Sequence, residues 1–221
     1  MWLRFILLLV MTAVAPAHAA RTILVFGDSL SAGYGLPQGS GWVSLLEHRL
    51  KRDRLDYPVV NASISGETTL GGRNRIVATL AEHRPAVVIV QLGGNDGLRG
   101  NSIEQTRRNL IAIVEASRKS GAKVLLVGMR IPPNYGQVYR RRFEALFAEV
   151  ARQQNASLVP FMLQGFADKR EWFQSDGIHP AVEIDRSDHR FHRVGQQGEL
   201  VAAAAAILAD AHAQHLAEAE R

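Results

Sequence analysis

Five short, almost unbroken apolar runs, at residues 22–26, 59–64, 86–92, 123–129 and 157–161, alternate along this chain with longer segments of helical period. Unbroken apolarity rich in Val, Ile and Leu belongs to strands covered on both faces, because a strand with one wet face alternates apolar and polar residues. The intervening segments are 42–52, 72–83, 103–120 and 138–154. In the last of these, Tyr139, Phe143, Leu146, Phe147 and Val150 fall on one helical face. An Ala-rich helix is expected from about residue 198 to 215. This βαβα alternation predicts a three-layer α/β/α sandwich around a parallel sheet, with right-handed crossovers. With 221 residues and no internal repeat or linker-like stretch, one domain is expected.

The first 19 residues stand outside that pattern. Met1-Trp2-Leu3-Arg4 brings one early positive charge, residues 5–17 are apolar, and Ala17-His18-Ala19 is a small-x-small site. A run of 13 residues is short of the roughly 20 that span a bilayer. The order of features fits a cleavable signal peptide rather than a retained amphipathic anchor. The mature domain is therefore expected over residues 20–221, in the periplasm or secreted.

Cysteine is absent, which excludes a thiol nucleophile, disulfide staples, thiolate metal sites and lipid attachment at a cysteine. Twenty-six basic against 21 acidic residues give +5, or +4 once Arg4 leaves with the leader. The triplet Arg140-Arg141-Arg142 sits between Tyr139 and Phe143 on a helix and reads as a solvated face. No basic stripe interleaved with aromatics points to nucleic acid. Transient contact with anionic lipid is compatible with the charge.

Polar segments follow the first three apolar runs. They are Phe26-Gly27-Asp28-Ser29-Leu30-Ser31, Asn61-Ala62-Ser63-Ile64-Ser65-Gly66 and Leu92-Gly93-Gly94-Asn95-Asp96. A fourth, Asp176-Gly177-Ile178-His179-Pro180, lies beyond the fifth run. Open parallel sheets gather ligand sites at the carboxyl ends of their strands, so the first three loops converge on one rim. The four segments supply a nucleophile (Ser29), a base (His179) and an acid three residues before it (Asp176). They also supply two kinds of oxyanion donor: the backbone amides of Ser29 and Gly66, and the side-chain amide of Asn95. Acyl transfer through a serine needs that set.

Each piece has a plainer reading. Ser29 suits a helix N-cap, Asn95 a turn after two glycines, and Asp-Gly-x-His a turn without catalysis. Their joint occurrence in this order favours catalysis. The Gly-x-Ser-x-Gly elbow is absent, and Gly33-Tyr34-Gly35 lacks the third glycine of a dinucleotide loop. Asp185, Asp188, His189 and His192 are the candidate metal cluster, but they lie in a polar loop and the reaction needs no metal. His212 and His215 read as a solvated helix face.

The four segments, in this order, resemble those of the SGNH (GDSL-type) hydrolases, whose Ser, Gly, Asn and His correspond to Ser29, Gly66, Asn95 and His179. Gly93-Gly94-Asn95-Asp96-Gly97-Leu98-Arg99-Gly100 and Arg130-Ile131-Pro132-Pro133-Asn134-Tyr135-Gly136 are similar to the branch of secreted bacterial arylesterases and multifunctional periplasmic thioesterase/lysophospholipases. The resemblance covers residues 22–180. It implies a flavodoxin-like fold with about five parallel strands and a carboxylic ester hydrolase working through an acyl-enzyme on Ser29. It also implies that Arg99, Pro132, Asn134 and Tyr135 lie on loops lining the acyl or alcohol pocket, and that Asp28 and Asp96 hold loop amides. Relatives pass from the His-Pro corner almost directly into the last helix, whereas residues 181–197 here add 17 residues rich in charge and His.

The expected partner is a small-molecule acyl ester or thioester, with no cofactor, metal or nucleic acid, and the expected state is a monomer. A carbohydrate O-acetyl esterase shares the chemistry. A catalytically inert periplasmic binding protein is the alternative of a different class, and the presence of Ser29, Asn95 and His179 speaks against it.

Overall fold

The structure, a computed structural model, describes residues 22–181 together with Ala204 and Ala206. The expected leader, residues 182–197, the Asp185–His192 cluster and His212 and His215 lie outside the described residues. Of the expected last helix only Ala204 and Ala206 are described; both are helical, and Ala204 is buried.

Strands β1 (Ile23–Gly27), β2 (Val59–Asn61), β3 (Val87–Gln91), β4 (Lys123–Val127) and β5 (Ser157–Val159) form one parallel sheet in the order β2-β1-β3-β4-β5. The helices are α1 (Ser29–Ala32), α2 (Trp42–Arg52), α3 (Thr69–His83), α4 (Gly94–Leu98), α5 (Ile103–Lys119) and α6 (Gln137–Gln153), with 3-10 turns at Pro133–Tyr135 and Arg170–Trp172. Every residue of β1 and β3 is buried, as their continuous apolarity requires. Strand order reverses at β1, so crossovers of one hand send α2 to one face and α3, α5 and α6 to the other. On that second face α3 packs on α5, and α5 on α6. Phe143, Leu146, Phe147 and Val150 of α6 enter the core, opposite in sequence phase to exposed Arg141 and Arg142. Arg140 instead turns back, its Nε donating to the Ile131 carbonyl at 3.3 Å.

Most boundaries lie within a residue or two of the periodicity, and two differ by three residues. The second apolar run, expected over 59–64, is a strand only to Asn61; beyond it the amides of Ala62 and Ile64 still donate to the Val25 and Gly27 carbonyls at 2.9 and 3.0 Å. The chain therefore leaves the sheet while staying alongside β1, which brings the Ser65-Gly66 turn beside Ser29. Helix α3 starts at Thr69 rather than residue 72, and it accepts Gly71 and Gly72 in its first turns despite their poor helix propensity. Tertiary contacts decide this: a Cβ on Gly72 would lie 2.5 Å from Leu92 Cδ1 and 3.2 Å from Phe26 Cε1, so only glycine lets the helix settle onto the sheet.

The point where strand order reverses lies between the carboxyl ends of β1 and β3. Open α/β sheets bind ligands in that crevice, and Ser29 and Asn95 are carried there.

Candidate active site

Ser29 is the first residue of α1, but Asp28 caps that helix, accepting the Leu30 amide on Oδ1 at 3.0 Å. The capping role open to Ser29 on sequence grounds is thus filled by its neighbour. Beneath Asp28 lies Gln91, fully buried at the end of β3. Gln91 Nε2 donates to Asp28 Oδ1 at 3.0 Å, while its Oε1 accepts the Asp28 amide at 3.4 Å and the Ser31 hydroxyl at 2.5 Å. Apolar periodicity does not reveal Gln91; its one signal is a lone amide closing an otherwise aliphatic strand.

Asp28 is 2% exposed, and burial pushes its carboxyl from 3.8 up to about 6, against hydrogen bonds from Leu30 and Gln91 and the charge of His179. The unfolded carboxyl ionises near 3.8, whereas the folded one holds its proton until about 6. Stability from this group is therefore complete below the lower value and is lost as pH rises through the upper, a change of about 3 kcal/mol. Asn at this position keeps an oxygen for both donors. Urea unfolding from pH 4 to 7 is expected to show Asp28→Asn gaining on the wild type as pH rises; parallel stability curves would contradict this.

His179 reaches Ser29 from a separate loop. Its Nε2 lies 2.8 Å from Ser29 Oγ, and its Nδ1 lies 2.7 Å from Asp176 Oδ2. Asp176 Oδ1 accepts the amides of Ile178 and His179 at 2.8 and 3.0 Å, which leaves Oδ2 for the ring. Desolvation raises the Asp176 carboxyl, but the His179 ring and the two amides outweigh it and hold it at about 2. It is a carboxylate under ordinary assay conditions, and a carboxylate at Nδ1 fixes the tautomer that presents Nε2 as acceptor to Ser29.

The loop has supports that the motif does not contain. The Gln174 amide donates to the His179 carbonyl at 2.8 Å, and its Nε2 donates to the Tyr34 and Pro180 carbonyls at 2.9 and 3.1 Å. Arg170 donates to the Gln174 and Ser175 carbonyls, each at 2.7 Å. The Tyr34 ring lies 4.7 Å from that of His179.

On the other side of Ser29, Glu67 N–H donates to the Ile64 carbonyl at 3.1 Å and closes a turn with Gly66 at its third position. Gly66 has φ +79°, and the nearest atom to a Cβ there is Arg99 Nη2 at 4.0 Å. Left-handed backbone, rather than crowding, calls for glycine. Asn95, in α4, donates from Nδ2 to the Glu67 carbonyl at 2.9 Å. A carboxamide has two N–H groups, so one remains for a ligand oxygen. Among the described residues the amides of Ser29 and Gly66 have no protein acceptor. Asp96 accepts the Thr69 amide and hydroxyl at 2.8 and 2.7 Å, a structural tie of α3 to α4.

Arg99 donates to the Gly66 carbonyl at 3.1 Å, and the Tyr135 hydroxyl to the Leu98 carbonyl at 2.7 Å. Pro132 and Asn134 are exposed around the Pro133–Tyr135 turn. A cleft with about 320 Å³ of open space adjoins Ser29 and His179, walled chiefly by Leu30, Tyr34, Leu36, Trp42 and Pro180. Arg99, Pro132, Asn134 and Tyr135 are not among its walls. Its aromatic side, Tyr34 and Trp42, follows Ser29 in the chain and carries no motif.

No group of three or more potential metal ligands occurs among the described residues. A serine, an imidazole and a carboxylate in line, with donors at one rim, can perform nucleophilic acyl transfer.

Comparison with known proteins agrees with that chemistry. The model of the GDSL-like Lipase/Acylhydrolase family matches residues 25–186. Esterase TesA of Pseudomonas aeruginosa is 51% identical over 164 residues, which cover 74% of this chain and 82% of that one. Thioesterase 1/protease 1/lysophospholipase L1 of Escherichia coli K12 is 42% identical over 164 residues, covering 74% and 77%. The crystal structure of TesA superposes with a TM-score of 0.75 at 44% identity, over 86% of this chain and 99% of that one.

Proposed function

The chain belongs to the GDSL-like lipase/acylhydrolase family, and from that membership we propose a residue-level mechanism for its serine acyl hydrolase activity. The observation that carries it is the line Ser29 Oγ–His179 Nε2 and His179 Nδ1–Asp176 Oδ2, at 2.8 and 2.7 Å. His179 takes the proton of Ser29 as Oγ attacks the acyl carbon, and the carbonyl oxygen becomes an oxyanion. The Ser29 and Gly66 amides and the second N–H of Asn95 meet that charge. Asp176 stabilises the imidazolium, which then protonates the departing alcohol or thiol and leaves an acyl-serine. Water, deprotonated by His179, attacks the ester; collapse of the second tetrahedral intermediate releases the acid and returns the proton to Ser29.

The substrates are short or medium acyl esters, thioesters and lysophospholipids, a range supported by the names of the relatives. We assign residues 1–19 to a leader that directs a monomer, residues 20–221, to the periplasm or the medium. Hydrolysis of p-nitrophenyl esters, acyl-CoAs and lysophospholipids by the mature protein tests the substrate range. Failure on all three classes contradicts it. Amino-terminal sequencing of the exported protein tests the leader, and Ala20 is the expected first residue.

A further inference from the structure

Gly66 sits on an exposed turn, yet its amide must meet an oxygen held within a few tenths of an ångström by Ser29. Loops of this kind move unless something fixes them. The turn is tied at four points: the Ile64 amide to the Gly27 carbonyl, the Glu67 carbonyl to Asn95, the Gly66 carbonyl to Arg99, and the Glu67 side chain to Arg75. The last of these is an ion pair between largely buried side chains. Arg75 Nε donates to Glu67 Oε2 at 2.6 Å, with the two side chains 22% and 11% exposed.

The same guanidinium lies over the Phe26 ring, 3.8 Å from its centroid. Phe26 is fully buried on β1, three residues before Ser29. The approach depends on Gly72, whose missing Cβ lets α3 sit against Phe26. One planar cation thus grips the oxyanion turn with its edge and the nucleophile's own strand with its face. Lysine, a point charge on a flexible stem, offers the charge without the plane.

We infer that Arg75 is a positioning residue: through Glu67 and Phe26 it holds the Gly66 amide in register with Ser29. The inference rests on the reading of Gly66 as an oxyanion donor.

The test is steady-state hydrolysis of p-nitrophenyl butyrate by the mature protein and by Arg75→Met, Arg75→Lys and Glu67→Met, with thermal melting as a check on folding. Arg75→Met is expected to lower kcat about 10- to 100-fold, the scale of a misplaced catalytic group. KM should stay within about threefold, since a donor aimed at the developing oxyanion acts in the transition state. The pH at which kcat/KM falls should not move, because Ser29, His179 and Asp176 are untouched. Arg75→Lys should recover part of the loss. Glu67→Met, which has no oxygen to accept from Arg75 Nε, should lose rate in the same way, and the double variant should be no slower than the worse single one, because both break one link.

Wild-type kcat in folded Arg75→Met overturns the inference, as does a loss confined to KM or a multiplicative loss in the double variant. Should Arg75→Met not fold, Glu67→Met, which removes the acceptor at similar length, decides the matter alone. An inactive wild type would overturn the functional reading itself, whereas an active wild type with an equally active Arg75→Met overturns only the role of Arg75.

Discussion

Ser29→Ala and His179→Ala are each expected to cut kcat for ester hydrolysis by at least about 10⁴-fold, with KM changed only a few-fold. In the proposed mechanism the two side chains act as one device: the hydroxyl is a weak nucleophile until Nε2, 2.8 Å away, takes its proton. Removing either leaves the other without a partner, so the double variant should be about as slow as either single one. Losses that multiply would mean that Ser29 and His179 act independently. Asp176 is held at about 2 and remains charged at the pH of such assays. In the proposed mechanism it orients the imidazole and stabilises the imidazolium, and Asp176→Asn should therefore lose rate while Ser29 and His179 stay in place.

Asn95→Ala is expected to lower kcat by about 10²- to 10³-fold, the cost of removing one preorganised oxyanion donor. Nδ2 of Asn95 is already 2.9 Å from the Glu67 carbonyl, so the carboxamide is oriented before any substrate arrives. Preorganisation of this kind stabilises charge that develops in the transition state, and it therefore appears in kcat. A rise in KM alone would place Asn95 in substrate binding, and no change at all would make it a turn residue with one hydrogen bond to Glu67. Steady-state kinetics at a single pH on one p-nitrophenyl ester separates the three outcomes.

How much of this was legible in the residues depends on whether a role leaves a local signal. The five strands of the central sheet and helix α6 leave one, because continuous apolarity and a 3.6-residue stripe are local properties. Ser29, Gly66, Asn95 and His179 are legible for a different reason: each sits at a strand end or loop corner inside a short polar segment. Arg75, Gln174 and Tyr34 leave no such trace, and Gln91 only a lone amide at the end of an aliphatic strand. Their partners are 63 residues away for Gln91 with Asp28, and 140 for Gln174 with Tyr34. Only the folded topology brings such pairs together. The start of α3 is hidden too: the expected helix begins at residue 72, whereas the observed one takes in Thr69 to Gly71, and the missing Cβ of Gly72 lets it pack against Phe26 and Leu92. Arg99 shows a third case. The resemblance places Arg99 on a loop lining the pocket; the structure adds a hydrogen bond from its guanidinium to the Gly66 carbonyl, which no motif announces.

The most direct test of serine chemistry at this site is covalent. The mature protein is incubated with a fluorophosphonate and the adduct is located by mass spectrometry of the peptides. Attack by Ser29 on phosphorus, with loss of fluoride, mimics the acylation step and leaves a stable tetrahedral ester. One adduct per chain is expected, on the peptide that contains Ser29, with none on Ser29→Ala and markedly slower labelling of His179→Ala. An adduct on another residue, or undiminished labelling of folded Ser29→Ala, would contradict it.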